Sequence, residues 1–176
     1  AMCAATDTYD IALSAAGIDI CEPMFDGDPA DKEMNSKLDY SRTFAFRNFR
    51  LETNPYEYEF SDIDVTESRK VIRENDYFTL FEFSAKWDPI PTMLCQNHSN
   101  MIKGFMGQTT AFKKELVKPE VIVMGENKIA GEARYLHGEL GKGFWTFYGG
   151  HDPEDYRHLV GDPATDLSLY PTSPGY

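Results

Sequence analysis

Apolar and polar positions change period several times along the chain, and each change predicts an element. Residues 5–16 (Ala-Thr-Asp-Thr-Tyr-Asp-Ile-Ala-Leu-Ser-Ala-Ala) have helical spacing. Ile11, Leu13 and Ala15/Ala16 supply apolar faces, Thr6 or Asp7 can cap the start, and Gly17 fits the stop position. Residues 26–43 are rich in Asp, Gly, Pro and Lys and read as loop. From 43 to 60 the pattern turns strand-like, with Phe44, Phe46 and Tyr56-Glu57-Tyr58-Glu59-Phe60 separated by a turn at Asn54-Pro55. In Tyr77-Phe78-Thr79-Leu80-Phe81-Glu82-Phe83 strand formers fill nearly every place, the pattern of a strand covered on both faces. Pro89 and Pro91 punctuate before Thr92-Met93-Leu94-Cys95.

Further strands are predicted at 120–124 and 133–137. Gly141-Lys142-Gly143 then turns into Phe144-Trp145-Thr146-Phe147-Tyr148, which makes a hairpin. After Gly149-Gly150-His151, Asp152 caps and Pro153 opens a short helix. The mixture predicts an α/β domain, and at 176 residues one domain is the natural length.

Composition narrows the functions open to it. Hydrophobic residues make up 41% of the chain and aromatics 14%, enough apolar material for a packed core. The net charge of −12 repels phosphate backbones and anionic membrane surfaces, which argues against nucleic-acid partners. No apolar run approaches the roughly 20 residues that span a bilayer. Three cysteines (Cys3, Cys21, Cys95) make an odd count without C-x-x-C spacing, so neither a disulfide framework nor a zinc site is indicated. No cofactor motif is present: Gly104, Gly107 and Gly125 form neither a phosphate-binding loop nor a dinucleotide fingerprint. Asp26-Gly27-Asp28-Pro29-Ala30-Asp31 lacks the full spacing and closing Glu of a calcium loop and reads as a solvated turn.

Two residues carry candidate chemistry. Cys3 stands among small neighbours (Ala1, Ala4, Ala5) immediately before a helix start, the sequence form of a nucleophile elbow. The positive end of a helix lowers a thiol's pKa, and its free N–H groups, at Ala4 and beyond, can receive an oxyanion. The other reading of Cys3 is a small buried apolar side chain. His151 follows an aromatic strand and two glycines that bring the backbone close to its surroundings. Strand carboxyl ends are where α/β active sites form, and an imidazole there can serve a thiol as base. Alternatively it fixes its turn by bonding Asp152 or Asp155. His98 reads as a surface residue and His137 as a packed or edge residue. A metal reading would use His151, Asp152 and His158.

These residues carry a resemblance. The stretch Gly141-Lys142-Gly143-Phe144-Trp145-Thr146-Phe147-Tyr148-Gly149-Gly150-His151-Asp152-Pro153-Glu154 resembles the end of a ThuA-like (trehalose-utilisation) domain, a member of the class I glutamine-amidotransferase-like superfamily. Nearly the whole chain resembles the C-terminal half of long Bacteroidota proteins labelled "asparagine synthetase B". The matching segments include Phe25-Asp26-Gly27-Asp28-Pro29-Ala30-Asp31, Phe81-Glu82-Phe83-Ser84-Ala85-Lys86-Trp87-Asp88-Pro89 and Gly104-Phe105-Met106-Gly107-Gln108-Thr109-Thr110. Glutamine-dependent asparagine synthetases carry a Ser-Gly-Gly-x-Asp-Ser loop, and this chain has none. Cys3 is followed by Ala4 where N-terminal-cysteine glutaminases carry glycine.

The resemblance implies a fragment of a flavodoxin-like three-layer α/β sheet with a β-rich insertion at about 25–118. It implies that the N-terminal half of the sheet precedes Ala1 and that a last helix follows Tyr176; both ends read as cut. It also implies a catalytic set of Cys3, His151 and Glu154, acting on a small-molecule amide. The alternative is a carbohydrate-binding module without cysteine chemistry, in which Trp87, Trp145 and Tyr148 stack on sugar.

Overall fold

The computed structural model describes residues 1–2, 5–54, 60–66, 77–80, 101–103, 110–127 and 131–149, with the backbone alone for 77–80 and 101–103. Helix α1 spans Ala5–Ser14, and Gly17, in the left-handed region at φ 83°, ends its exit turn as its position predicts. Its buried side is more polar than the apolar spacing suggests: Thr6, Asp7, Asp10, Ile11 and Ser14 face inward. Leu13 is half-buried and Ala16 is exposed. The helix is therefore held by polar contacts as well as apolar burial.

Residues 26–43 are loop punctuated by single turns. Helices α2 (Pro23–Asp26) and α3 (Met34–Lys37) are one turn each, and a 3₁₀ turn covers Tyr40–Arg42. The strand expected over 43–60 is not a ladder where it is described. Phe46 and Leu51 make one isolated bridge each, to Val117 and Ser61. Asn48 between them lies at φ 58°, which breaks the extended path. Residues 55–59 lie outside the described residues, as do 81–100 and the helix expected at Pro153.

The described strands form one six-stranded mixed-length sheet. They are β1 (Tyr77–Leu80), β2 (Met101–Lys103), β3 (Phe112–Lys113), β4 (Ile122–Asn127), β5 (Glu132–Leu140) and β6 (Gly143–Tyr148). Their order is β2-β1-β4-β5-β3, with β6 also on β5, and every ladder is antiparallel. Strands β1 to β3, from within 25–118, thus share a sheet with β4 to β6. The β5–β6 hairpin forms as expected, with Leu140 opposite Gly143 across a two-residue turn. One parallel contact joins this frame: Met2 bridges to Tyr148 at the end of β6.

The core lies between α1, the 43–51 segment and one face of β3, β5 and β6. Ala45, Phe46, Phe49, Ile63, Phe112 and Leu136 are fully buried there. Phe46 stacks on Phe147 at a centroid distance of 6.1 Å and tilts against Phe112 at 5.2 Å. Aromatic pairs at such distances add to area burial by about 0.5–1.5 kcal/mol each. Among the described residues no helix is long and apolar enough to cross a membrane.

Candidate functional site

Cys3, Ala4, His151 and Glu154 lie outside the described residues, as do Trp87, His98, Asp152 and His158. The residues on either side of Cys3–Ala4 are described, as is β6 up to Gly149, and the structure brings Ala1 and Met2 beside Tyr148. The Tyr148 amide donates to the Ala1 carbonyl at 3.0 Å, beside the parallel Met2–Tyr148 bridge. The Ala5 amide donates to the Met2 carbonyl at 3.2 Å, and α1 begins at Ala5. The chain thus passes from a parallel strand contact to a helix within three residues. Beyond Tyr148, the Gly149 amide donates to the Arg134 carbonyl at 2.7 Å, and the Gly149 carbonyl accepts from the Thr110 amide at 2.8 Å. The sequence reading that these glycines admit close backbone approach holds at Gly149, where a Cβ would lie 2.6 Å from the Thr110 carbonyl oxygen.

Two buried carboxyls on α1 escaped the sequence reading. Asp7, 3% exposed in the first turn, has its carboxyl pushed up to about 7, first by burial and then by the nearby charge of Asp64. Amides of the first turn pull it the other way without cancelling the shift. Asp10 is fully buried and accepts from three successive backbone amides: Phe44 at 2.7 Å on Oδ1, and Ala45 and Phe46 at 2.8 Å each on Oδ2. Burial raises its pKa, and the three amides, with the charge of Lys118, oppose the rise. The available signal was the spacing Asp7, Asp10, Ile11, Ser14, one stripe of a helix with a core residue in it.

The remaining candidates are structural where they are described. His137 is 1% exposed, with Nδ1 3.1 Å from the Trp145 carbonyl oxygen and its ring 5.9 Å from that of Phe144. That agrees with its reading as a packed residue. Tyr148 is 1% exposed and edge-on to Tyr135. Trp145 lies over Gly138 and against Phe44 and Phe147. Both are engaged in packing, which leaves Tyr148 no open face for a sugar ring. Asp26 accepts from the Asp28 amide at 3.0 Å in an exposed turn, as read. Among the described residues, Asp19, Cys21 and Asp26 are the group whose potential ligand atoms come within 4.8 Å of one another, and all three are exposed.

Comparison with family models, with curated proteins and with solved structures gives no match.

Proposed function

We propose that the chain is a cysteine-dependent hydrolase of small-molecule amides, of the glutamine-amidotransferase type. One observation carries the reading: the parallel Met2–Tyr148 bridge is followed directly by helix α1 at Ala5. A bridge residue followed three residues later by a helix start is the order a nucleophile elbow needs, and Cys3 lies between them in sequence. The strand beside it, β6, leads three residues later to His151. Parallel pairing makes both chains run toward the same edge, and in sequence Cys3 follows Met2 directly and His151 follows Tyr148 by three residues.

In this reading the Cys3 thiol gives its proton to His151, and Sγ attacks the carboxamide carbon. The oxyanion donor in this reading is the N–H of Ala4, the residue after Cys3 in sequence. The carbon–nitrogen bond breaks and ammonia leaves with the proton from His151. Water, deprotonated by His151, then hydrolyses the thioester and frees the acid. Glu154 orients the imidazole. Asp7, its carboxyl pushed up to about 7 by burial, carries less negative charge near pH 7 than an ordinary aspartate and so offsets the positive end of α1 less.

Ammonia release from a panel of carboxamides that includes glutamine tests this. Cys3→Ala and His151→Ala each lower the rate by about three orders of magnitude or more. A Cys3→Ala variant with full activity overturns the reading.

A further inference from the structure

We infer that Asp7 and Asp64 form a proton-operated latch: sharing one proton they hold the front turn of α1, residues 5–9, against the ribbon of 63–66 and 110–113, and on losing it they let that turn open. The inference stands apart from the Cys3–His151 reading. The ribbon is set by an antiparallel bridge between Asp64 and Phe112. The Val65 amide donates to the Ala111 carbonyl at 2.9 Å, and the Lys113 amide to the Ile63 carbonyl at 2.8 Å. In that register Thr66 stands opposite Thr110, and Asp64, Thr66, Thr110 and Phe112 share one face. Phe112 belongs to the same core as Ile11 of α1. Thr6 and Asp7 of the front turn and Asp64, Thr66 and Thr110 of the ribbon are all buried. The Thr110 hydroxyl in this cluster has no hydrogen-bond partner.

Among the described residues, the charges acting on Asp7 are those of Asp64 and, more weakly, Asp10, both acidic. Lys118 acts on Asp10, and its Nζ donates to the Thr43 carbonyl. Two buried carboxyls do not both ionise cheaply, and one proton held by the pair removes their repulsion. Opening the turn hydrates both carboxyls and the Thr110 hydroxyl, so ionisation and opening favour each other. The rest of α1 stays in place. Asp10 accepts from the Phe44, Ala45 and Phe46 amides, and the Ser14 carbonyl accepts from the Asp39 amide at 3.0 Å. The hinge therefore falls between Asp7 and Asp10. The Asp7 carboxyl titrates at about 7 in the closed turn and at its ordinary 3.8 in the open one. Opening becomes about tenfold easier per pH unit between those values and no easier above them.

The test is hydrogen exchange of the full chain as a function of pH, each rate divided by its intrinsic value, with and without a low concentration of urea. The amides of Tyr9 and Asp10 report on the front turn, because their helical acceptors are the Ala5 and Thr6 carbonyls. Amides of β5 are the reference. In the parent, protection of Tyr9 and Asp10 falls about tenfold per pH unit up to about pH 7 and then levels off. It responds little to urea, as a local opening does, while β5 exchange accelerates. Asp7→Asn removes the pH slope. Asp64→Asn keeps the Asp7 carboxyl but takes away the like charge, so the levelling-off moves to lower pH. Tyr9 and Asp10 exchanging together with β5, at the same urea dependence, would overturn the inference and leave Asp7 a term in global stability alone. A levelling-off that Asp64→Asn does not move would overturn the pairing.

Discussion

Gly149 meets the main chain of Thr110 so closely that a Cβ on it would stand 2.6 Å from the Thr110 carbonyl oxygen and 3.2 Å from that of Arg134. Both neighbours are backbone, held by the hydrogen bonds that run from Thr110 through Gly149 to Arg134. Gly149→Ala therefore has to part β6 from these partners, at about 1–3 kcal/mol by the usual cost of overpacking. Gly143→Ala is the control, since a Cβ there meets the Leu140 oxygen at an ordinary 3.6 Å. Urea unfolding of both variants checks this, and equal midpoints would count against the described contact.

Gly138 makes a second close approach, to a side chain. The indole of Trp145 covers it, and a Cβ would come 2.3 Å from Cζ2. The ring is backed by Phe44 and Phe147, so it cannot simply rotate away. Gly138→Val displaces it outward, and in a Trp87→Phe background the remaining tryptophan emission shifts to the red. Unchanged emission would mean that the indole does not lie on Gly138.

Much of the frame was legible because its signals are local. The α1 spacing with Gly17 after it, the strand formers at Tyr77, and the Gly141 turn between aromatic runs each name an element without tertiary help. What could not be read depends on distant partners. Phe44 and Phe46 look like strand residues, yet their amides serve the Asp10 carboxylate, more than 30 residues away, in place of a ladder. The inward turn of the polar side of α1 has the same cause. For Asp7 and Asp10 the one local sign was their place on the stripe of Ile11; the groups that receive them come from distant segments, the amides of 44–46 for Asp10 and Asp64 beside Asp7. Cys3 and His151 lie outside the described residues, and the structure adds the pairing of Ala1 and Met2 with Tyr148.

Burial of Asp7 makes stability depend on pH. Its folded pKa of about 7 lies above the ordinary value of 3.8, so between these values the folded state holds a proton that the unfolded state has lost. The contribution is complete below about pH 4 and is lost as pH rises through about 7. Asp10 shifts in the same direction and adds to the trend. Asp7→Asn should flatten it: at pH 8 the variant is more stable than the parent by on the order of a few kcal/mol, and near pH 4 the two nearly coincide. Urea midpoints measured from pH 4 to 8 report the difference. A parent whose stability rises steadily over this range, with no gain in the variant at pH 8, contradicts the assignment.

The central claim is that Cys3 is the nucleophile of an amide hydrolase, and the same chain carries the exposed thiol of Cys21 for comparison. The most direct measurement treats the full chain at pH 7 with a chloromethyl ketone that mimics a carboxamide side chain, then maps the modified cysteines by mass spectrometry while ammonia release is followed. The account predicts that Cys3 is modified at least about tenfold faster than Cys21, and that amide hydrolysis falls in step with its modification. Modification of Cys21 as fast as Cys3, or hydrolysis that continues after Cys3 is fully blocked, would contradict it.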